Sequence, residues 1–376
     1  MRRKVSSKPG LIDLWVLIPV LALVLIGVWL VFDASYAKAA DFTWTHKDPW
    51  YFAKKQIISA AIGLMAMVVM SKVKISTLTS LTKTLVVTSI VLLVAVMIPH
   101  VGYQANGAYR WFRLPHGITL QPSEIAKIAV VLYLAQFLSQ GKRVVQRIDS
   151  QWLPPMIIVG MIAVLVFKEP DMGTAIAIVF TCFAMLFAAG VRKRFLFGLI
   201  GVGTFMGWLA VKLEPYRMDR VHVWLEPWQH RYGDGYQIVH SLIALGTGGL
   251  YGLGPCEGRE KLYIPAACTD FIFSTVGEEV GLIGCIVVLG LFMFFIYKGL
   301  DVARRSKTAY LNLLAVGVTS MIGLQALINV AVVSASIPAT GVPLPFISYG
   351  GSSLILTLAG VGILLAISRQ AGDTNS

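Results

Sequence analysis

A handful of charged side chains stand where an otherwise apolar sequence makes charge costly, and these residues have chemistry to offer. Asp270 follows Thr269 and directly precedes Phe271, Ile272 and Phe273, so a carboxylate stands at the mouth of an apolar run. Such a group can take a proton from a hydroxyl or ligate a cation. It can also cap a helix, and on the residues alone capping by Thr269 or Asp270 is the simpler account. Glu124 and Lys127 lie three residues apart, which puts them on one helix face where they can pair. A charge at the centre of a membrane helix costs about 2.5–3.5 kcal/mol, so such a pair either marks a site in the bundle interior or is structural, with Lys127 reaching toward the interface. Glu278 and Glu279 sit about two turns beyond Asp270, too deep to cap, and at least one is expected to face a polar cavity. Cys256 and Cys268 share one loop and form a candidate disulfide, whereas Cys182 and Cys285 fall inside apolar runs. No C-x-x-C spacing suggests a metal site.

The elements that position these residues are membrane helices. Of 376 residues, 56% are hydrophobic and only 14% charged, against roughly 25% charged in soluble domains. Apolar runs cover about 12 to 32, 56 to 71, 84 to 101, 123 to 139, 153 to 168, 173 to 190, 195 to 213, 271 to 297, 311 to 336 and 352 to 368. They lack the alternation of barrel strands, so the expected fold is an all-α polytopic bundle of about ten transmembrane helices in a single domain over 1–376. Alternate gaps carry the basic residues: Arg2, Arg3, Lys4 and Lys8, then Lys72, Lys74 and Lys83, then Lys142, Arg143 and Arg147, then Arg192, Lys193 and Arg194, then Lys298 to Lys307. The opposite gaps hold most acids, so both termini are expected in the cytoplasm. This pattern accounts for the net charge of +13 without a nucleic-acid partner. One long connection, about 214–270, lies between spans seven and eight on the outer side, and a loop of that length is usually functional. Pro338 to Ser353 (PATGVPLPFISYGGSS) must be irregular backbone, with Ser352 and Ser353 able to cap the last helix. Such backbone is tolerated at membrane depth only against protein or a wet cavity.

Together and in order, these segments resemble the SEDS family (shape, elongation, division and sporulation) of bacterial membrane proteins. The resemblance rests on GAYRW (Gly107 to Trp111), QPSEIAK (Gln121 to Lys127), EPDMGTA (Glu169 to Ala175), GYQIVHSLIALGTGGLYG (Gly235 to Gly252), TDFIF (Thr269 to Phe273), GEE (Gly277 to Glu279) and PLPFISYGGSS (Pro343 to Ser353). LEPWQHRYGDGYQ (Leu225 to Gln237) is more similar to the FtsW and SpoVE branch than to RodA.

The resemblance implies a peptidoglycan glycosyltransferase that polymerises lipid II at the outer face of the bacterial cytoplasmic membrane, with inversion at the MurNAc anomeric carbon. It implies Asp270 as the catalytic residue, which moves catalysis ahead of capping. Arg110, Glu124 and Lys127 would border the same cavity, and Glu279 is a further cavity candidate. Arg110, Lys127, Arg217 and Arg220 are candidates to stabilise the leaving pyrophosphate, the last two from position alone. A divalent cation, Mg or Mn, is implied with Asp270 as a candidate ligand, and no organic cofactor. Implied partners are a class B penicillin-binding protein, which is a transpeptidase, and other membrane proteins of division or elongation complexes. The sequence departs from the family just before Asp270, where Ala266 and Cys268 replace the usual Glu and His, and Glu260 replaces the usual Gln. A Cys256–Cys268 bridge would replace that lost polar order. Rival readings are a lipid II flippase, which intramembrane charges would also suit, and a non-catalytic division scaffold.

Overall fold

The computed structural model of the protein describes residues 12–41, 45, 47–105, 108–113, 119–141 and 150–371. The basic clusters at residues 2–8 and 142–147 lie outside the described residues. The first seven long helices are α1 (Leu14–Asp41), α2 (Tyr51–Lys72), α3 (Ile75–Val96), α4 (Pro122–Leu138), α5 (Leu153–Lys168), α6 (Met172–Ala188) and α7 (Lys193–Leu213). The outer connection folds into three shorter helices, α8 (Pro215–Leu225), α9 (Tyr236–Thr247) and α10 (Glu260–Tyr263). The chain then forms α11 (Ile272–Arg305), α12 (Ala309–Val333) and α13 (Gly351–Ala371). Six helices (α1, α2, α3, α11, α12 and α13) are each long and apolar enough to cross a membrane. With α4, α5, α6 and α7 they match the ten apolar runs one for one.

Local chemistry sets the helix starts. Asp171 caps α6 by accepting from the Thr174 N–H at 3.1 Å, and Thr308 caps α12 by accepting from Leu311 N–H at 3.3 Å. Proline opens α4 and α8, where its missing N–H costs nothing. Ser352 and Ser353 fall inside the first turn of α13 instead of preceding it. Most of α12 and α13 is buried, and both belong to the core with α4, whereas α2 turns Ile57, Ile58, Met65, Val68 and Val69 outward as a lipid-facing stripe. Among the described residues, the start of α1 and the end of α13 meet on one face. Arg305 at the end of α11 pairs with Asp13 at 2.8 Å, and Asp13 N–H reaches Ser368 of α13, so the number of crossings is even.

Two short segments between helices bear on the site. Strands β1 (Tyr103–Ala105), β2 (Ala108–Arg113) and β3 (Thr119–Leu120) form an antiparallel sheet ordered β1-β2-β3, with Tyr103 opposite Trp111 and Phe112 opposite Leu120. The second segment lies within the long outer connection, which is not wholly outside the bundle. Helix α11 breaks at Gly281 (φ 70°, ψ −165°), and residues 249–254 insert beside the break. Leu253 and Gly254 donate to the carbonyls of Glu278 and Glu279, while Leu282 and Ile283 donate to Gly249 and Leu250. The groups freed by the break are thereby satisfied within the protein, as lipid requires. A side chain at Gly281 would meet Gly252 N at 2.4 Å and Leu250 O at 2.6 Å.

Gly281→Ala is therefore expected to lower the unfolding temperature in detergent, at a cost of at least about 1–3 kcal/mol for a strained backbone position. Gly198→Ala, on open helix surface, should leave it unchanged. Equal midpoints for both variants would contradict this packing.

Candidate active site

Asp270 lies in the turn between α10 and α11. The N-cap of α11 is Phe271, and no side chain bonds there, so neither Thr269 nor Asp270 caps the helix. The backbone around Asp270 is fixed by the irregular segment before α13. Tyr349 N–H donates to Cys268 O at 2.8 Å, and the Ser348 hydroxyl donates to Thr269 O at 2.6 Å. The Asn329 carboxamide, on α12, donates to both Asp270 O and Val342 O at 2.7 Å. Three successive carbonyls are thus held, leaving the Asp270 side chain beside Gly341, where an added Cβ would stand 3.5 Å from Oδ2.

Two arginines approach from different elements. Arg110, on β2, donates its Nε to Glu169 O at 2.8 Å and its Nη2 to Pro170 O, which ties the sheet to the tight turn between α5 and α6. Arg220, on α8, donates to Ala339 O at 2.8 Å. Asp171, which caps α6, also accepts from Gln121 at 3.0 Å. Packing around Asp270 pushes its carboxyl up to about 6, and the nearby Asp171 carboxylate adds to the rise. Arg110 and then Arg220 oppose it. The result is a carboxylate that is ionised at neutral pH yet basic enough to accept a proton, the condition for a general base. Glu169 is buried with both carboxyl oxygens unpartnered. Burial, with Asp171 beside it, pushes its carboxyl up to about 9 against Arg110, so it is neutral at pH 7.

Glu124 and Lys127 form an ion pair of 2.9 Å in which both side chains are 3% exposed. Lys127 also donates to Gln325 Oε1 at 2.7 Å, and Gln325 donates to Pro343 O at 3.2 Å. Gln325 and Asn329 are one turn apart on α12, so the buried pair and Asp270 are joined through the same helix face and the same irregular segment. The structure therefore brings Arg110 and Arg220 within reach of Asp270, whereas the Glu124–Lys127 pair is linked to it only through Gln325 and Asn329 of α12.

Other expected site residues lie elsewhere. Arg217 lies over the Phe167 ring at 3.9 Å, and the cations whose charge reaches Asp270 are Arg110 and Arg220. Glu279 does not face the Asp270 site. It pairs with Lys261, which also holds Asp33 at 2.6 Å, because the inserting outer loop brings Lys261 onto α11. Glu278 accepts the N–H groups of Arg259 and Glu260 at 2.6 and 2.9 Å. Cys256 and Cys268 are both free thiols, so the expected bridge is not formed. The Cys256 thiol bonds to Asp33, whereas Cys268 is packed beside Tyr349 and Lys38. Both pKa values are raised, Cys268 to about 11 by burial, which keeps the thiols protonated and unreactive.

Sequence reasoning missed Gln325 and Asn329 as supporting residues. The available signal was two carboxamides four residues apart in an otherwise apolar span, which is costly without partners. Among the described residues no group of three or more His, Cys, Asp and Glu side chains gathers as a metal site. Magnesium, however, commonly takes only one or two protein carboxylates and completes its shell with water and substrate phosphate. Asp270, with Asp171 nearby, fits that smaller requirement.

Residues 14–373 match the family described as cell cycle protein FtsW/RodA/SpoVE. The chain is 41% identical over 362 residues to stage V sporulation protein E of Bacillus subtilis, covering 96% of this chain and 97% of that protein. It is 38% identical to a probable peptidoglycan glycosyltransferase FtsW of Geobacter metallireducens, covering 96% of each. Among solved structures it is similar to a chain of a peptidoglycan synthase complex that coordinates polymerization and crosslinking, with TM-score 0.79, 28% identity, and 96% and 98% coverage of the two chains. It is also similar to the rod shape determining protein RodA of Thermus thermophilus, with TM-score 0.69, 27% identity, and 95% and 97% coverage.

Lys127→Met should destabilise the detergent-solubilised protein by about 3–5 kcal/mol, because Glu124 would be left buried without its counter-charge. Adding Glu124→Gln should restore most of the loss in thermal unfolding. A double variant no more stable than the single one would contradict the pairing. Glu169→Gln, which mimics the protonated acid, should leave the unfolding temperature unchanged at pH 7, and a marked drop would mean that the side chain is charged.

Proposed function

The chain belongs to the FtsW/RodA/SpoVE family of cell cycle proteins, and from that premise we propose that it is a peptidoglycan glycosyltransferase of a bacterial membrane, polymerising lipid II with Asp270 as its base. Identities of 41% and 38% to SpoVE and FtsW, against 27% to RodA, support the division and sporulation branch. The observation that carries the chemistry is the Asp270 carboxyl at the entrance of α11, its backbone held by Asn329, Ser348 and Tyr349 and its ionised form favoured by Arg110 and Arg220.

Chain growth joins the acceptor GlcNAc 4-hydroxyl to the anomeric carbon of a lipid-linked MurNAc. As the new C–O bond forms, the hydroxyl proton passes to a carboxylate oxygen of Asp270, and the bond to undecaprenyl pyrophosphate breaks on the opposite face, which inverts the anomeric centre. Negative charge collects on the departing pyrophosphate. Arg110 and Arg220 are placed to offset it, each held through backbone carbonyls so that its charge is oriented before substrate arrives. Arg217 is not assigned this role. A divalent cation, where bound, would take Asp270 and Asp171 as candidate ligands and supply further charge stabilisation to the pyrophosphate. The similarity to a chain of a peptidoglycan synthase complex supports work alongside a class B penicillin-binding protein, which would cross-link the glycan.

Lipid II polymerisation by the purified protein with its transpeptidase partner tests this reading. Wild type should make glycan, and Asp270→Asn should lose at least the factor of about 10²–10⁴ that a positioned base contributes. Equal glycan from both would remove Asp270 from the chemistry. Transport of lipid II across vesicles without glycan from wild type would favour the flippase.

A further inference from the structure

The outer connection lines a half-open cleft of about 420 Å³, from which the mechanism above uses only Arg220. Its volume falls in the roughly 300–1,000 Å³ range of small-ligand sites. Asp219 and Arg220 come from α8, Tyr232 and Asp234 from the turn that follows, and Tyr236 and Gln237 from the start of α9. Two carboxylates, an amide and two aromatic rings in one cleft are a chemistry suited to carbohydrate. The rings cover the C–H face of a pyranose, and the carboxylates and amide accept from or donate to its hydroxyl and acetamido groups.

The cleft is also built in advance of any ligand. The Tyr236 ring packs on His240 with centroids 4.2 Å apart, and Tyr263 stacks on the same imidazole at 5.4 Å. Glu260 holds His240 Nδ1 through its own carboxylate. Tyr236 is therefore fixed by a row of packed rings, while Tyr232 stays on the exposed rim with Arg231 against its ring at 4.6 Å. Such fixed aromatic surface binds at low entropic cost.

The cleft adjoins the reacting centre. Arg220 both lines it and acts on Asp270, and its hydrogen-bond acceptor Ala339 lines it too, two residues before Gly341. Charge then selects the occupant. Asp219 and Asp234 balance Arg220 and the rim residue Arg231, so the cleft carries little net charge and suits an uncharged sugar. We propose that this cavity is a saccharide subsite that binds an uncharged N-acetylhexosamine ring of the glycan next to the sugar reacting at Asp270. The proposal rests on the polymerase reading for its place in the reaction but not for its binding chemistry.

The test uses the full chain in detergent with a tetrasaccharide of β-1,4-linked N-acetylglucosamine, with cellotetraose as the control lacking acetamido groups. Titration calorimetry should show binding of the first over the second. Tyr232→Ala and Asp234→Asn, both at exposed positions that the fold does not need, should each weaken it about tenfold, the scale of losing one anchor. The same variants, assayed with the transpeptidase partner on lipid II, should raise KM more than they lower kcat and shorten the glycan strands. Tetrasaccharide affinity unchanged by both substitutions, or no binding by wild type, would overturn the subsite even if glycan is made. Binding that depends on Tyr232 and Asp234, with no glycan from wild type, would uphold the subsite and defeat the polymerase reading instead.

Discussion

Irregular backbone among membrane helices must find its hydrogen-bond partners inside the protein, and that constraint organises the outer half of this molecule. Two segments break regular structure: the outer loop beside Gly281, and the stretch from Pro338 to Gly350. The first is satisfied by pairing residues 249–254 with the broken turn of α11. The second is satisfied by Gln325, Asn329 and Ser348, the last two of which at the same time fix the carbonyls of Asp270 and Thr269. The hydrogen bonds that make these breaks tolerable are thus the bonds that aim Asp270. Asn329 is central because one carboxamide serves both sides of the site.

Electrostatics follows from that placement. A carboxylate beside a packed helix entrance resists ionisation, and Asp171 makes it harder still, while Arg110 and Arg220 oppose both effects and favour the ionised form. Neither arginine is free to drift, since backbone carbonyls anchor both. The deeper charges serve structure. The Glu124–Lys127 pair is charge-balanced within α4 and is tied to α12 through Gln325, whereas in the buried Asp33–Lys261–Glu279 group two carboxylates on α1 and α11 share one ammonium from the outer loop. Buried pairs of this kind add little net stability, but losing one member is expensive, which makes them fixed points of the architecture.

Much of this was legible in the sequence. Ten apolar runs gave ten helices because lipid leaves a long apolar segment no other way to satisfy its backbone. Asp270, Glu124 and Lys127 stood out because charge is rare in such runs, and Arg110 was reached through the family resemblance. What failed depended on long-range placement. Glu279 was expected at a polar cavity, but its partner Lys261 arrives from a loop whose insertion no local pattern encodes. Arg217 and Arg220 are one turn apart in sequence position, and only the docking of α8 decides that one reaches Asp270 while the other lies on Phe167. The two loop cysteines looked like a pair by proximity in sequence, yet each thiol is engaged in a different setting.

The central claim, that Asp270 acts as a base whose raised pKa is held down by its two arginines, is tested most directly by the pH dependence of lipid II polymerisation. Below its pKa the carboxyl already holds a proton and cannot take one from the acceptor. The rate should therefore fall on the acid side with a midpoint near pH 6. Arg220→Gln removes a charge that lowers this value, so its acid limb should move to higher pH. A wild-type profile flat through pH 6, or a limb that Arg220→Gln leaves in place, would contradict the account.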